Sequence, residues 1–252
     1  MHRVHVRSTA GDAYGDDFHC FFRSSLKPVQ AIPLLEGYDD LGDDELAIAS
    51  ASHQAEPAQL EAVRKLLARA GATADDLENG LQEGRPDGKV GHNCSGKHAG
   101  MLAACRAHGW PLHPYRSPEH PLQQRVAALV GDAAIGVDGC GVPTFALRLS
   151  RMCEVFLQAP QRIREAMAAR PELVGGAGSA DTELMRARPG WFAKGGAEGL
   201  FCVSDGTDAW TFKVEDGAFR ALRPALARVF GIDEFREVEV RNSRGEVVGS
   251  IS

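Results

Sequence analysis

The strand-forming segments of this 252-residue chain are crowded toward its C-terminal end, and that crowding limits the folds open to it. Gly199 to Ser204, Ala209 to Val214 and Glu237 to Ile251 are rich in strand-forming residues. The last of them is broken by Ser243-Arg244-Gly245, and Gly206-Thr207-Asp208 suits a hairpin between the first two. The middle of the chain instead follows the helical period. From Pro57 to Ala70, apolar residues recur at Leu60, Val63, Leu66, Leu67 and Ala70, with Pro57 suited to a first turn and Gly71 to a C-terminal cap. A second helix is predicted from Ser117, as N-cap to Pro118 and Glu119, through to Gly131. Periodicity adds helices over Lys97 to His108, Phe145 to Leu157, Gln161 to Ala168 and Ala218 to Phe230. Helices drawn from the middle and antiparallel strands drawn from the end predict an α+β fold, an antiparallel sheet flanked by helices, rather than a βαβ alternation. Without a Pro/Ser-rich linker or a repeat, residues 1–252 are expected to form a single domain.

Charge and composition exclude several functions. The net charge of -6 comes without a basic run or stripe, which argues against nucleic acid as a partner. No apolar stretch approaches the roughly 20 residues that span a bilayer, and Met1 to Asp17 is too polar for a signal-peptide core, so a cytoplasmic protein without a membrane partner is expected. The six cysteines then read as thiols or ligands rather than a disulfide framework. Cys105, Cys153 and Cys202 fall in amphipathic or strand-like runs and are expected in the core.

The sharpest local feature is Arg23-Ser24-Ser25-Leu26-Lys27-Pro28. Residues three apart share a helix face, and Pro28 is tolerated only in a first turn, so a helix is expected to begin at Ser24 or just before it. Ser24 would then stand at the positive end of the helix, with Lys27 able to act as its base if burial keeps the amine neutral. A bare Ser-x-x-Lys is common on solvated helices, but the flanking Phe21-Phe22 and the apolar run from Val29 to Leu35 favour a buried setting. Ala193-Lys194-Gly195-Gly196-Ala197-Glu198-Gly199 lets backbone approach a ligand closely while two opposite charges face it, or forms a flexible turn before a strand. Ser52, in Ala51-Ser52-His53, either caps the following helix or supplies a second active-site hydroxyl. Cys94 and Cys140 lie in glycine-rich turns placed as thiol ligands or reactive thiols. Two isolated cysteines do not complete a zinc site, and Lys97, His98 and Asp138 are the additions available.

Together, Arg-Ser-Ser-x-Lys-Pro at Arg23 to Pro28, Ala-Ser-His at Ala51 to His53, Asn-Cys-Ser-Gly-Lys-His-Ala-Gly-Met at Asn93 to Met101, Val-Asp-Gly-Cys-Gly-Val-Pro at Val137 to Pro143 and Ala-Lys-Gly-Gly-Ala-Glu-Gly at Ala193 to Gly199 resemble the rhizobial-type L-asparaginases. The match runs in order from about Arg23 to the Arg-Asn-Ser-Arg-Gly-Glu-Val-Val-Gly segment near the C-terminus. The resemblance implies a serine β-lactamase/glutaminase-like fold, a homodimer, and hydrolysis of L-asparagine to L-aspartate and ammonia through an acyl-enzyme. It also implies that Ser24 pairs with Lys27, as nucleophile and base, and Ser52 with Lys194, which would relay protons to the departing ammonia. A zinc site at Cys94, Lys97 and Cys140, with Asp138 beside it, is implied as well, and no organic cofactor. Arg23, Asp138 and Glu198 are candidates for reading the α-amino and α-carboxylate groups of the substrate.

The chain departs from that pattern in two places. Relatives carry a further N-terminal strand before the region matching Arg3 to Phe18, so the sheet is expected to lack an edge strand, which would invite aggregation or inactivity. They also carry a Cys-Gly-x-His segment and a longer link where this chain runs from Glu78 to His92, which puts the pocket's specificity in question. Two rival functions remain open. One is a glutaminase or other small-amide hydrolase, since one methylene changes pocket selectivity by only about 1–3 kcal/mol. The other is a catalytically dead remnant that binds metal or an amino acid.

Overall fold

The computed structural model describes residues 2–252. Its strands are β1 (Val4–Ser8), β2 (Ala13–Tyr14), β3 (His19–Phe21), β4 (Ala134–Val137), β5 (Pro143–Arg148), β6 (Phe192–Gly195), β7 (Leu200–Ser204), β8 (Ala209–Val214), β9 (Val238–Arg241) and β10 (Val247–Ile251). A five-stranded sheet runs in the order β2-β1-β8-β7-β6, a three-stranded sheet in the order β3-β5-β4, and β9 and β10 form a separate hairpin. Every pairing is antiparallel, which makes the fold α+β as expected.

The late strands follow the sequence closely. β7 and β8 form a hairpin in which the Asp205 carboxylate accepts the N–H groups of Thr207 and Asp208, each at 2.8 Å, and Gly206 takes the left-handed φ of 97° that closes the turn. The early strand β1 is not signalled in the sequence. It depends on β8, with Val6 opposite Phe212, a partner that lies far along the chain.

The helix Pro57–Ala70 is the one predicted, ending at Gly71 in the left-handed conformation. Leu60, Val63, Leu66 and Leu67 form its buried face, each contributing about 1.5–3 kcal/mol by leaving water. Two predicted helices need correction. Phe145 to Arg148 belongs to β5, because β3 and β4 pair with it on either side, and the helix begins only at Leu149. Ser117 caps no helix: its hydroxyl is taken by the Glu119 carboxylate. The helix there is Pro121–Val130, capped by His120, whose Nδ1 accepts the Leu122 N–H at 3.2 Å. The segment from Ala218 opens with a 3-10 turn, Phe219–Ala221, before the helix Leu222–Phe230.

The helix Ser95–His108 is buried from Ser95 to Cys105 and packs against Pro57–Ala70, Asp43–Ala49 and Ile32–Glu36. Two glycines permit that approach. A Cβ at Gly96 would stand 2.2 Å from the Ile48 carbonyl oxygen, and one at Gly100 3.0 Å from the Ala49 Cβ. The start of this helix is thereby held against the end of Asp43–Ala49, where the chain leads into Ala51-Ser52-His53. Cys105, Cys153 and Cys202 are fully buried, as expected. No helix among the described residues is long and apolar enough to cross a membrane.

Candidate active site

Phe22, Leu26 and Val29 anchor the serine-containing turn in the core. Arg23–Leu26 is a 3-10 turn that runs directly into the helix Lys27–Gln30, with Pro28 in the first turn where its missing N–H costs nothing. Lys27 follows this anchored turn inward and is completely buried. Its Nζ donates to Ser52 Oγ at 2.9 Å and to the Ala51 carbonyl oxygen. Burial pushes the amine down to about 8, against the pull of the Cys94 thiol and with help from the positive charges of Lys194 and Lys97.

Ser52 is free for this contact because the following helix is capped without it. Gln59 Oε1 accepts the N–H groups of Gln54 and Glu56 at 2.9 and 3.0 Å. The backbone of the segment is tied on both sides, Ser52 N–H to the Val174 carbonyl at 2.9 Å and His53 N–H to that of Asn93 at 3.2 Å. The His53 ring, also buried, accepts the Ala55 N–H on Nδ1 at 3.1 Å, so Nε2 carries the proton toward Ser95 Oγ at 2.8 Å.

Lys194 reaches the same place from β6. The Ser25 hydroxyl donates to the Lys194 carbonyl oxygen at 2.9 Å, fastening the serine turn to this strand. A Cβ at Gly196 would stand 2.9 Å from Ser25 Oγ, which accounts for a glycine after the lysine. Ser24, Ser52 and Lys194 line one cavity of about 530 Å³. The expected pairings within it are not those the hydrogen bonds make. Lys27 bonds Ser52, whereas the Ser24 hydroxyl makes no protein hydrogen bond among the described residues. Lys194 Nζ bonds the Asp181 carboxylate at 3.3 Å and the Gly195 carbonyl at 2.8 Å, not Ser52.

Arg23, Asp138 and Glu198 do come together. Arg23 Nε donates to Asp138 at 2.7 Å and Nη1 to Glu198 at 2.9 Å. Arg23 and Glu198 both hold left-handed φ angles, 50° and 61°, a conformation that costs a residue other than glycine about 1–3 kcal/mol. Burial favours the neutral form of Asp138, but Lys97, the Gly139 N–H and Arg23 outweigh it and hold the carboxyl below its usual range.

The two turn cysteines meet behind this group. Cys94 precedes the Ser95–His108 helix, and Cys140 sits in a tight turn closed by the Gly141 N–H on the Asp138 carbonyl at 2.8 Å. Lys97 Nζ lies 2.9 Å from Cys140 Sγ. The Cys140 thiol, with the charges of Lys27 and Lys97, holds Cys94 well below the usual thiol range despite its burial. Burial works against the Lys97 ammonium, but the adjacent Cys140 and Cys94 sulfurs raise its pKa. Among the described residues no three His, Cys, Asp or Glu side chains are grouped to hold a metal ion. Two sulfurs and one amine nitrogen nevertheless make a three-donor set that suits zinc's preference for N and S ligands, with one position left open.

Sequence reasoning missed several polar cavity residues, among them Asn93, Ser179, Asp181, Arg220 and Arg223. Asn93 stands inside a quoted motif. Asp181, a single carboxylate in a polar helix, gives no local signal.

An antiparallel α+β scaffold that buries two lysines beside two cavity serines defines a hydrolase-like site. The family model described as L-asparaginase II matches residues 3–252, and the chain belongs to that family. No curated protein matches it. Family membership makes the protein an amidohydrolase with a small-molecule substrate.

Proposed function

We propose that the protein hydrolyses L-asparagine to L-aspartate and ammonia by serine–lysine catalysis on a serine β-lactamase-like scaffold. The observation that carries this reading is the buried Lys27 amine, 2.9 Å from a cavity hydroxyl and lowered to about 8. About a tenth of such amines are neutral at pH 7, enough to serve as a general base.

Ser24 is the nucleophile. Its hydroxyl proton passes to neutral Lys27 as Oγ attacks the side-chain carboxamide carbon, giving a tetrahedral oxyanion. The proton then travels through Ser52, already hydrogen-bonded to Lys27, to the amide nitrogen, and the C–N bond breaks to release ammonia. Water adds to the aspartyl ester by the same base and frees aspartate and the serine hydroxyl. The Lys194 ammonium supplies positive charge to the cavity where the oxyanion forms. Arg23, with its partners Asp138 and Glu198, would read the substrate α-carboxylate and α-amino groups from beside Ser24, outside the residues that line the cavity, whereas the guanidinium-bearing Arg220 and Arg223 line it.

The Lys27–Ser52 hydrogen bond favours one second reading, in which Ser52 is the acylated residue and Ser24 the relay. Zinc would be held by Cys94, Lys97 and Cys140. When bound it would supply a fixed positive charge and a brace between the Ser95–His108 helix and the turn at Cys140.

Ammonia release from L-asparagine and L-glutamine by the purified chain, beside folded Ser24→Ala and Ser52→Ala variants, tests the function. Asparagine turnover abolished in Ser24→Ala, with the acyl adduct on Ser24 by mass spectrometry, is expected. An adduct on Ser52 selects the second reading. A folded wild-type chain that releases ammonia from neither amide, with zinc supplied, overturns the asparaginase reading.

A further inference from the structure

We propose that Asp181 is a positioning residue that fixes Lys194 as an oriented ammonium facing the cavity, an inference that rests on reading that cavity as the amide-hydrolysing site. Asp181 lies in the first turn of the helix Ala180–Ala187, the end where the helix dipole favours a negative charge. A first-turn carboxylate on a surface helix ordinarily faces water. This one is turned inward, only 7% exposed.

Its two oxygens do different work. Oδ1 accepts the Gly195 N–H at 2.5 Å, and Oδ2 accepts from Lys194 Nζ at 3.3 Å. A Cβ at Gly195 would stand 3.1 Å from Oδ1, so glycine here admits the carboxylate to the end of β6. The carboxylate thus grips both the backbone just after Lys194 and the end of its side chain.

An ammonium has three N–H donors. Two of those on Lys194 are committed, to Asp181 and to the Gly195 carbonyl at 2.8 Å, and the third remains for whatever occupies the cavity that Lys194 lines. Lys27 has no such carboxylate: its partners are the Ala51 carbonyl and the Ser52 hydroxyl. The two buried lysines are therefore given different partners and different work, Lys27 to exchange a proton and Lys194 to hold a charge in place. Asp181 enforces the difference.

Asp181→Asn separates this role from a structural brace, because the amide oxygen still accepts the Gly195 N–H while the charge on Lys194 loses its partner. Two measurements are made on the full chain: steady-state kinetics with L-asparagine, and acetylation of Lys194 by acetic anhydride, read by peptide mass spectrometry. The expected result is a kcat lower by about 10²-fold with KM within about threefold, an unchanged melting temperature, and faster acetylation of Lys194. A kcat within about twofold of wild type, or a loss of kcat that follows the melting temperature while Lys194 acetylates at the wild-type rate, overturns the proposal. If the wild-type chain turns over no amide, the hydrolase reading fails, and the acetylation ratio alone still decides the role of Asp181.

Discussion

Lys27 and Ser52 are joined by a 2.9 Å hydrogen bond in a part of the core where, among the described residues, no carboxylate meets the lysine. A buried amine with a hydroxyl for company and no carboxylate counter-ion is costly as structure and useful as a base. Replacing it with an apolar side chain of similar length should therefore separate stability from activity. Lys27→Met is expected to melt no lower than wild type while losing about 10²–10⁴-fold in kcat, the range general-base catalysis supplies. Thermal melting and ammonia release on the same preparation check both halves.

The buried His53 ring sets an acid limit on stability. Burial, reinforced by the charges of Lys27 and Arg85, pushes it down to about 3 in the folded chain. Below about pH 6.5 the unfolded chain binds a proton on this imidazole that the folded chain refuses until about pH 3, so His53 destabilises the fold progressively as pH falls through that window. The slope is about 1.4 kcal/mol per pH unit for this one group. His53→Asn, which keeps an acceptor for the Ala55 N–H, should flatten the dependence of unfolding free energy on pH between 6 and 4, as measured by urea titration.

Gly96 is a packing constraint at the entrance to the site. A methyl group at this position meets the Ile48 carbonyl oxygen at 2.2 Å, backbone that cannot swing away. Gly96→Ala is expected to cost about 1–3 kcal/mol of stability and to lower activity by moving the start of the helix relative to Ser52. Denaturant unfolding gives the first quantity, and kcat of the folded fraction gives the second.

The thiol pair gives the metal reading its own test. Zinc binding should raise the melting temperature of the wild-type chain and release protons, because the Lys97 ammonium, held protonated by the adjacent sulfurs, must lose a proton to serve as a ligand. Cys94→Ser and Cys140→Ser should each remove the zinc-dependent shift, and Lys97→Met should reduce it. Calorimetry with zinc and a chelator control measures both. An equal shift in all four chains places the metal elsewhere.

The sequence signals that proved sound were local. Gly71 after a periodic run, the Gly206 hairpin and Pro28 in a first turn each describe a few neighbouring residues whose backbone has little choice. One failure depended on distant partners. Phe145 to Arg148 continues an apolar helical pattern and becomes a strand because β3 and β4 flank it, while the Ser117 failure is local, its hydroxyl taken by Glu119 two residues on. The site follows the same division. Its motifs brought Arg23, Asp138 and Glu198 to one cluster and Cys94, Lys97 and Cys140 to another. Which serine bonds which lysine is decided by the Val174 and Asn93 carbonyls that hold the Ser52 segment, and by Asp181, none of which a spacing pattern contains.

The pairing of β1 with β8 also governs the order in which the molecule can come into being. Val4 to Ser8 leave the ribosome some 200 residues ahead of their sheet neighbours, Ala209 to Val214. Contacts of such high sequence separation slow folding, since a long loop must close before any pairing rewards it. Throughout that interval the apolar side of Val4–Ser8 stands open to other nascent chains, a vulnerability that chaperone binding during translation would relieve.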